Sequence, residues 1–206
     1  ADVYGMIAPG MPNLAAKLAR EYGHVNGYAE GTDGAVFMAA MVSLAFTETD
    51  SRQIVRKAAS LIHPRSPYRQ CLDQVIQMAE SGARPEEVAN AVEERWHIEY
   101  PATNNAVANG GLTASAVWFG EGDFLQTVNH AFRAADFTDA DCNAANAGVS
   151  ARIQTSKAGP KQSKSPTGMA KMPQRPRSCS IVAGEVCWSC GECKAECWDR
   201  WDLFAG

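Results

Sequence analysis

The sequence lacks the features that mark membrane-spanning, nucleic-acid-binding or secreted proteins. No apolar run approaches the roughly 20 residues that a membrane helix needs, and the best candidate, AVFMAAMVSLAF at 35–46, has the length of a buried helix. The formal net charge of −4 offers no basic surface to nucleic acid. The first residues, ADVYGMIAPG, lack the basic start and long apolar stretch of a secretory signal. We therefore expect a cytoplasmic protein that binds neither membranes nor nucleic acid.

Several familiar catalytic patterns are missing as well. The chain contains no HExxH, no GxSxG and no phosphate loop. Runs that alternate apolar and polar residues are nearly absent, so few β-strands are expected. Between about 12 and 150, apolar residues instead recur at helical spacing, as at Ile54, Ala58 and Ile62. This pattern predicts an all-α body, and 46% hydrophobic residues in 206 suffice for one buried core.

Local signals mark where helices begin and end. Pro12 opens one helix, Ser51 can cap another, and Pro85 with two following glutamates suits a first turn. Glycines and prolines punctuate the segments between them, at Gly23, Pro64, Gly82, Pro101 and Gly120–Gly122.

The composition changes sharply near residue 150, which divides the chain into a helical domain at 1–150 and a tail at 151–206. Residues 150–180 are rich in Lys, Arg, Ser and Pro and contain no acidic residue, which predicts disorder. The end of the tail carries four cysteines in a CxxCxxCxxxC pattern, at Cys187, Cys190, Cys193 and Cys197.

Three interpretations of these cysteines remain open. Their spacing matches an iron-sulfur ligand run, although Trp198 stands where proline normally follows. A four-cysteine zinc site is possible, but its spacing is cramped for two pairs. The abrupt composition also suits a segment without an evolved site, as a shifted reading frame would produce. The tail therefore does not define the function.

One polar cluster in the body requires an explanation. The stretch AADFTDADCNAANAG at 134–148 places Asp139 and Asp141 two residues apart, on opposite sides of any helix, so both could act together only from a loop or first turn. Carboxylates at this density suit a hard cation such as Mg²⁺ or Mn²⁺. An EF-hand is excluded, because Ala144 and Ser150 stand where glycine and glutamate are required. Capping of the following helix is the alternative.

The same stretch resembles the C-terminal metal motif of the ADP-ribosylglycohydrolase family. Further segments resemble bacterial members of that family in consistent order, so that the resemblance covers roughly 1–148: YGMIAPGMPNLAAKLA at 4–19, EGTDGAVFMAAMVSLAF at 30–46, AASLIHPRSPYRQ at 58–70, WHIEYPATNNAVANGG at 96–111 and GEGDFLQTVNHAFRAADF at 120–137. Several segments in order are far more specific than one Asp-x-Asp pair, and they favour metal over capping.

The resemblance implies an all-α orthogonal helical bundle whose cleft holds two divalent ions, Mg²⁺ or Mn²⁺. It implies a hydrolase that releases ADP-ribose from a modified protein or small molecule by cleavage at the anomeric carbon. Asp139 and Asp141 would hold the metals. Cys142 occupies the place where many relatives carry a hydroxyl ligand, and its thiol is a poor partner for a hard ion.

In the family a second ligand set comes from an N-terminal part that nothing in this sequence matches. We therefore expect the chain to begin midway through the family domain, and a catalytically silent helical binding module is the alternative function. The resemblance offers His24 and Asn26 as substrate-contacting candidates, with a surface role for His24 as the alternative. Glu30 and Asp33 either line the cleft or simply occupy the first turn of a helix.

Overall fold

The computed structural model describes residues 1–25, 27–101, 105–133, 147–154 and 156. In these ranges every regular secondary-structure element is a helix. The α-helices are α1 (Asp2–Met6), α2 (Pro12–Tyr22), α3 (Glu30–Ala45), α4 (Ser51–Ala59), α5 (Pro67–Glu80), α6 (Pro85–Val92), α7 (Ala106–Gly120) and α8 (Phe124–Arg133). A 3₁₀ turn (Gly23–Val25) precedes α3, a π-helical turn (Glu93–His97) follows α6, and residues 147–154 are helical. The all-α prediction is therefore confirmed.

Local chemistry sets the helix starts. Pro12, Pro67 and Pro85 each occupy the first helical position, where the missing amide hydrogen costs nothing. The predicted starts at Pro12 and Pro85 are confirmed, whereas the predicted Ser51 cap is wrong by one residue. Asp50 caps α4 instead: it has the extended backbone that a cap requires, and its carboxylate accepts a hydrogen bond from the amide of Arg52 at 2.9 Å.

Helices α3 and α7 form the centre of the bundle. Every residue of α3 from Val36 to Ala45 is buried, and so is most of α7. Both helices are apolar around their whole circumference, which is typical of a helix enclosed on all sides. The prediction that residues 35–46 form a buried helix is confirmed. No helix in the described ranges is both long and apolar enough to cross a membrane.

Helices α3, α5 and α7 begin at the same end of the bundle. Tyr68, the second residue of α5, contacts Gly34 near the start of α3 and Gly110 near the start of α7. We name this region the amino end and define it by residues 30–34, 66–68 and 105–110.

The other ends of these helices also lie together. Glu80, the last residue of α5, pairs with Arg56 of α4 at 2.7 Å. The guanidinium of Arg56 lies 4.5 Å from the ring centroid of Trp118, near the end of α7. Helix α4 therefore connects the far ends of α5 and α7, opposite the amino end.

Helix α8 turns back along the second half of α7. Gly120 of α7 closely approaches Thr127 of α8, and the rings of Phe119 and His130 lie 6.2 Å apart. Helix α8 thus runs from the far end of the bundle toward the amino end.

The helical residues 147–154 run in the opposite direction. Gly148 lies beside Phe124 and Val128 of α8. Six residues further on, the side-chain amide of Gln154 donates a hydrogen bond to the carbonyl of Thr49, just after α3, at 3.2 Å. This segment therefore runs away from the amino end.

Candidate functional site

The loop that enters α3 is tightly turned. The amide of Gly31 donates a hydrogen bond to the carbonyl of Tyr28 at 2.9 Å, and the hydroxyl of Thr32 donates to the carbonyl of Gly27 at 3.1 Å. Between them Ala29 has φ 47° and ψ −111°, a region that non-glycine residues rarely occupy. The turn places Glu30 in the first turn of α3, half-buried at the amino end.

A side-chain hydrogen bond joins the starts of α3 and α5. The hydroxyl of Ser66 donates to Oδ2 of Asp33 at 2.5 Å, and both side chains are half-buried. Ser66 immediately precedes α5 and has an extended backbone. Because its side chain makes no capping hydrogen bond to α5, the hydroxyl is available to bond to α3. This contact fixes one carboxylate oxygen of Asp33.

Tyr68 fills the space beneath Asp33. Its ring packs edge-on against Phe37 with centroids 5.8 Å apart, and only 2% of the residue is exposed. A Cβ atom at Gly34 would lie 3.2 Å from the ring, and one at Gly110 would lie less than 3 Å from it, so both helices approach the tyrosine through bare backbone. Burial raises the pKa of the Tyr68 phenol, and electrostatic interactions with Cys71, when that thiol is ionised, and with Asp33 raise it further. The phenol is therefore a neutral donor.

A second aromatic group lies close to Glu30. Tyr100 stacks on Trp96 with centroids 6.3 Å apart, and the guanidinium of Arg95 lies 4.2 Å from the Trp96 ring on the π-helical turn. Loss of solvent raises the pKa of the Tyr100 phenol, and the negative charges of Glu30 and Glu99 add to that shift. Tyr100 therefore lies within electrostatic range of Glu30.

The amino end therefore combines half-buried carboxylates with neutral phenols. Such a surface can exchange hydrogen bonds with a hydroxyl-rich ligand, and Glu30 and Asp33 can stabilise positive charge. Both acids occupy the first turn of α3, which agrees with the helix-start interpretation of these residues. In the described part of the chain no three His, Cys, Asp or Glu side chains group together.

The structure locates few of the predicted site residues. His24 lies exposed on the 3₁₀ turn just before α3, which agrees with the surface alternative and leaves its substrate role a prediction. The others lie outside the described residues, so their roles also stay predictions: Asn26, Asp139, Asp141, Cys187, Cys190, Cys193 and Cys197.

Ser66 and Tyr68 were not singled out in the sequence. The Ser-Pro pair at Ser66–Pro67 is a typical helix start and could have marked the beginning of α5. No local signal pairs Ser66 with Asp33, because 33 residues separate them along the chain. Only the shared starting end of α3 and α5 brings them together.

Comparison with known proteins identifies the family. The sequence model of the ADP-ribosylglycohydrolase family matches residues 3–151, which is well over half of the chain. Neither the curated proteins nor the solved structures gave a match. The matched range contains all of the amino end and also the Asp139 and Asp141 pair. The chain therefore belongs to the ADP-ribosylglycohydrolase family.

Proposed function

We propose that this protein is a metal-dependent hydrolase that releases ADP-ribose from an ADP-ribosylated protein or small molecule by cleavage at the anomeric carbon. Family membership supports the class of reaction, since the family acts on ADP-ribosylated substrates and is generally metal-dependent. The observation that carries the proposal for this chain is the amino end, where three helices begin and the half-buried side chains of Glu30 and Asp33 occupy the first turn of α3.

In this proposal Asp139 and Asp141 hold Mg²⁺ or Mn²⁺ next to the amino end. The described segments on either side support that location, because α8 runs toward the amino end and residues 147–154 run away from it. The donor chemistry also fits, since carboxylate oxygens suit these hard ions. Among the described residues no three His, Cys, Asp or Glu side chains group together, so in this proposal the aspartate pair supplies the principal ligands.

The residues of the amino end would bind and orient the substrate. Cleavage at the anomeric carbon builds positive charge on the ribose, and the carboxylates of Glu30 and Asp33 are placed to stabilise it. Ser66 would keep Asp33 in one orientation through its 2.5 Å hydrogen bond. A bound metal would supply orientation of the ribose hydroxyls and a lower pKa for a bound water.

Two measurements test this proposal. Calorimetric titration of Mn²⁺ into metal-free protein should show binding that is lost in Asp139→Ala. Incubation with an ADP-ribosylated arginine or serine peptide should release ADP-ribose, and Asp141→Asn should abolish the release. Glu86→Gln is the matched control, because it also removes one negative charge from an exposed helical position and should change neither result.

The two measurements separate the alternatives. Metal binding together with release of ADP-ribose supports the hydrolase. A well-folded protein that binds no Mn²⁺ and releases nothing would instead support the silent binding module. Unchanged release in Asp141→Asn would show that the reaction does not depend on this pair.

A further inference from the structure

We propose that the Tyr68 hydroxyl is a ligand-contacting group, which donates a hydrogen bond to a ribose oxygen of a substrate bound at the amino end. This inference rests on the proposed function and assigns to this site a residue outside the aspartate pair. The position of the Tyr68 hydroxyl, between Gly34 and Gly110 and near Asp33, supports this inference.

Tyr68 is a buried residue whose hydroxyl has no partner among the described residues. Tyr68 is 2% exposed, yet across the described ranges its oxygen takes part in no hydrogen bond. Asp33, whose charge acts on the phenol, is engaged through Oδ2 by Ser66. Buried hydroxyls in proteins are nearly always hydrogen-bonded, because leaving one unpaired costs free energy. A bound ligand would satisfy this group.

The hydroxyl also borders the solvent side of the core. Along α3 the residues through Gly34 are half-buried, whereas those from Val36 onward are fully buried. The Tyr68 oxygen lies at this boundary, 3.7 Å from the position that a Cβ atom of Gly34 would occupy. On the other side the oxygen packs directly against the backbone of Gly110, where a Cβ atom would lie less than 3 Å from it. Tyr68 thus forms the floor of the amino end.

The chemistry of the surroundings selects the kind of ligand atom. A tyrosine phenol is protonated at physiological pH, and burial raises the pKa of Tyr68 further, so the group can meet a ligand oxygen as a donor. A phosphate oxygen would be repelled by the carboxylates of Asp33 and Glu30 at the same end. An uncharged oxygen, such as a ribose hydroxyl, faces no such repulsion.

Tyr68→Phe tests this inference, because it keeps the ring against Phe37 and Gly34 and removes only the hydroxyl. The matched control is Tyr22→Phe, whose residue is 58% exposed and stacks on Tyr4 of α1. Melting temperatures are measured without ligand, and Kd for ADP-ribose is measured by calorimetry with Mn²⁺ present. We expect both variants to melt no lower than the unaltered protein. Affinity for ADP-ribose should fall about threefold to tenfold in Tyr68→Phe alone.

Each other outcome overturns a distinct statement. A melting temperature lower by about 3 °C or more in ligand-free Tyr68→Phe would show that the hydroxyl already has a partner inside the protein. An unchanged Kd in Tyr68→Phe would overturn the inference and leave the proposed function standing. If the unaltered protein does not bind ADP-ribose, both fall. An equal loss of affinity for inorganic diphosphate would refute the assignment to ribose.

Discussion

Replacing Ala29 with glycine should stabilise the protein. Ala29 has φ 47° and ψ −111°, close to the roughly +60° and −120° of the first central residue of a type II′ turn. The turn is closed by the hydrogen bond from the Gly31 amide to the Tyr28 carbonyl. Glycine is preferred at that position because any Cβ atom is strained there.

The expected gain follows from two opposing terms. Backbone strain of this kind costs about 1–3 kcal/mol, whereas the extra freedom of glycine in the unfolded chain costs about 0.5–1 kcal/mol. Ala29 is exposed, so little buried apolar surface is lost. We expect the free energy of unfolding of Ala29→Gly to rise by about 1 kcal/mol, which raises Tm by about 2–4 °C.

Urea denaturation with an unchanged m-value measures this gain. Ala91→Gly is the matched control, because the same substitution in the helical backbone of α6 should lower the free energy of unfolding by about 0.5–1 kcal/mol. A higher free energy of unfolding in Ala29→Gly together with a lower one in Ala91→Gly would support backbone strain at Ala29. A destabilised Ala29→Gly would show that this backbone is not strained and would refute the reasoning.

Three further changes have directions that the structure sets. Gly110→Ala should destabilise the fold by about 3 kcal/mol in urea denaturation, because the new Cβ atom would overlap the locked Tyr68 ring; tolerance of alanine would show that the ring can move. Burial lowers the pKa of His130 below 6.5, so the protein should lose stability as pH falls below about 6.5, and His130→Gln should flatten that part of the stability profile; an unchanged slope would contradict this cause. The hydrogen bond from Lys57 lowers the pKa of Glu48, so Glu48→Gln should cost about 0.5 kcal/mol at pH 7. That loss should shrink as pH falls below about 4.5 and disappear below the lowered pKa of the folded Glu48 carboxyl, where the unaltered side chain is protonated too.

Local features of the fold were predictable from the sequence. Pro12 and Pro85 mark helix starts because proline fits only the first helical turn, and the apolar run at 35–46 has no polar face to expose. Ser51 was placed one position off as a cap because Asp50 beside it has equal chemistry. The backbone conformation, which the sequence does not display, decides between the two.

The candidate site was predictable only in part, because its contacts are long-range. Glu30 and Asp33 could be recognised as first-turn acids, but the pairing of Asp33 with Ser66 requires knowing that α3 and α5 begin at one end. Gly34 and Gly110 have low helix propensity, and the sequence gives no reason for them. The structure supplies one, because the Tyr68 ring packs against the backbone of both glycines. The Asp139 and Asp141 pair follows from spacing and family resemblance, and its metal role stays a prediction.

The enclosure of α3 and α7 has a consequence for how the protein opens. Amide hydrogens between Val36 and Ala45, and along most of α7, can exchange with solvent only when the surrounding helices separate. We expect these amides to exchange last, at rates set by global unfolding, whereas the turn at Gly23–Val25 exchanges early. The amino end would then lie next to the slowest-opening part of the molecule, so that the proposed substrate contacts at Glu30 and Tyr68 would keep their spacing while the turn at Gly23–Val25 opens.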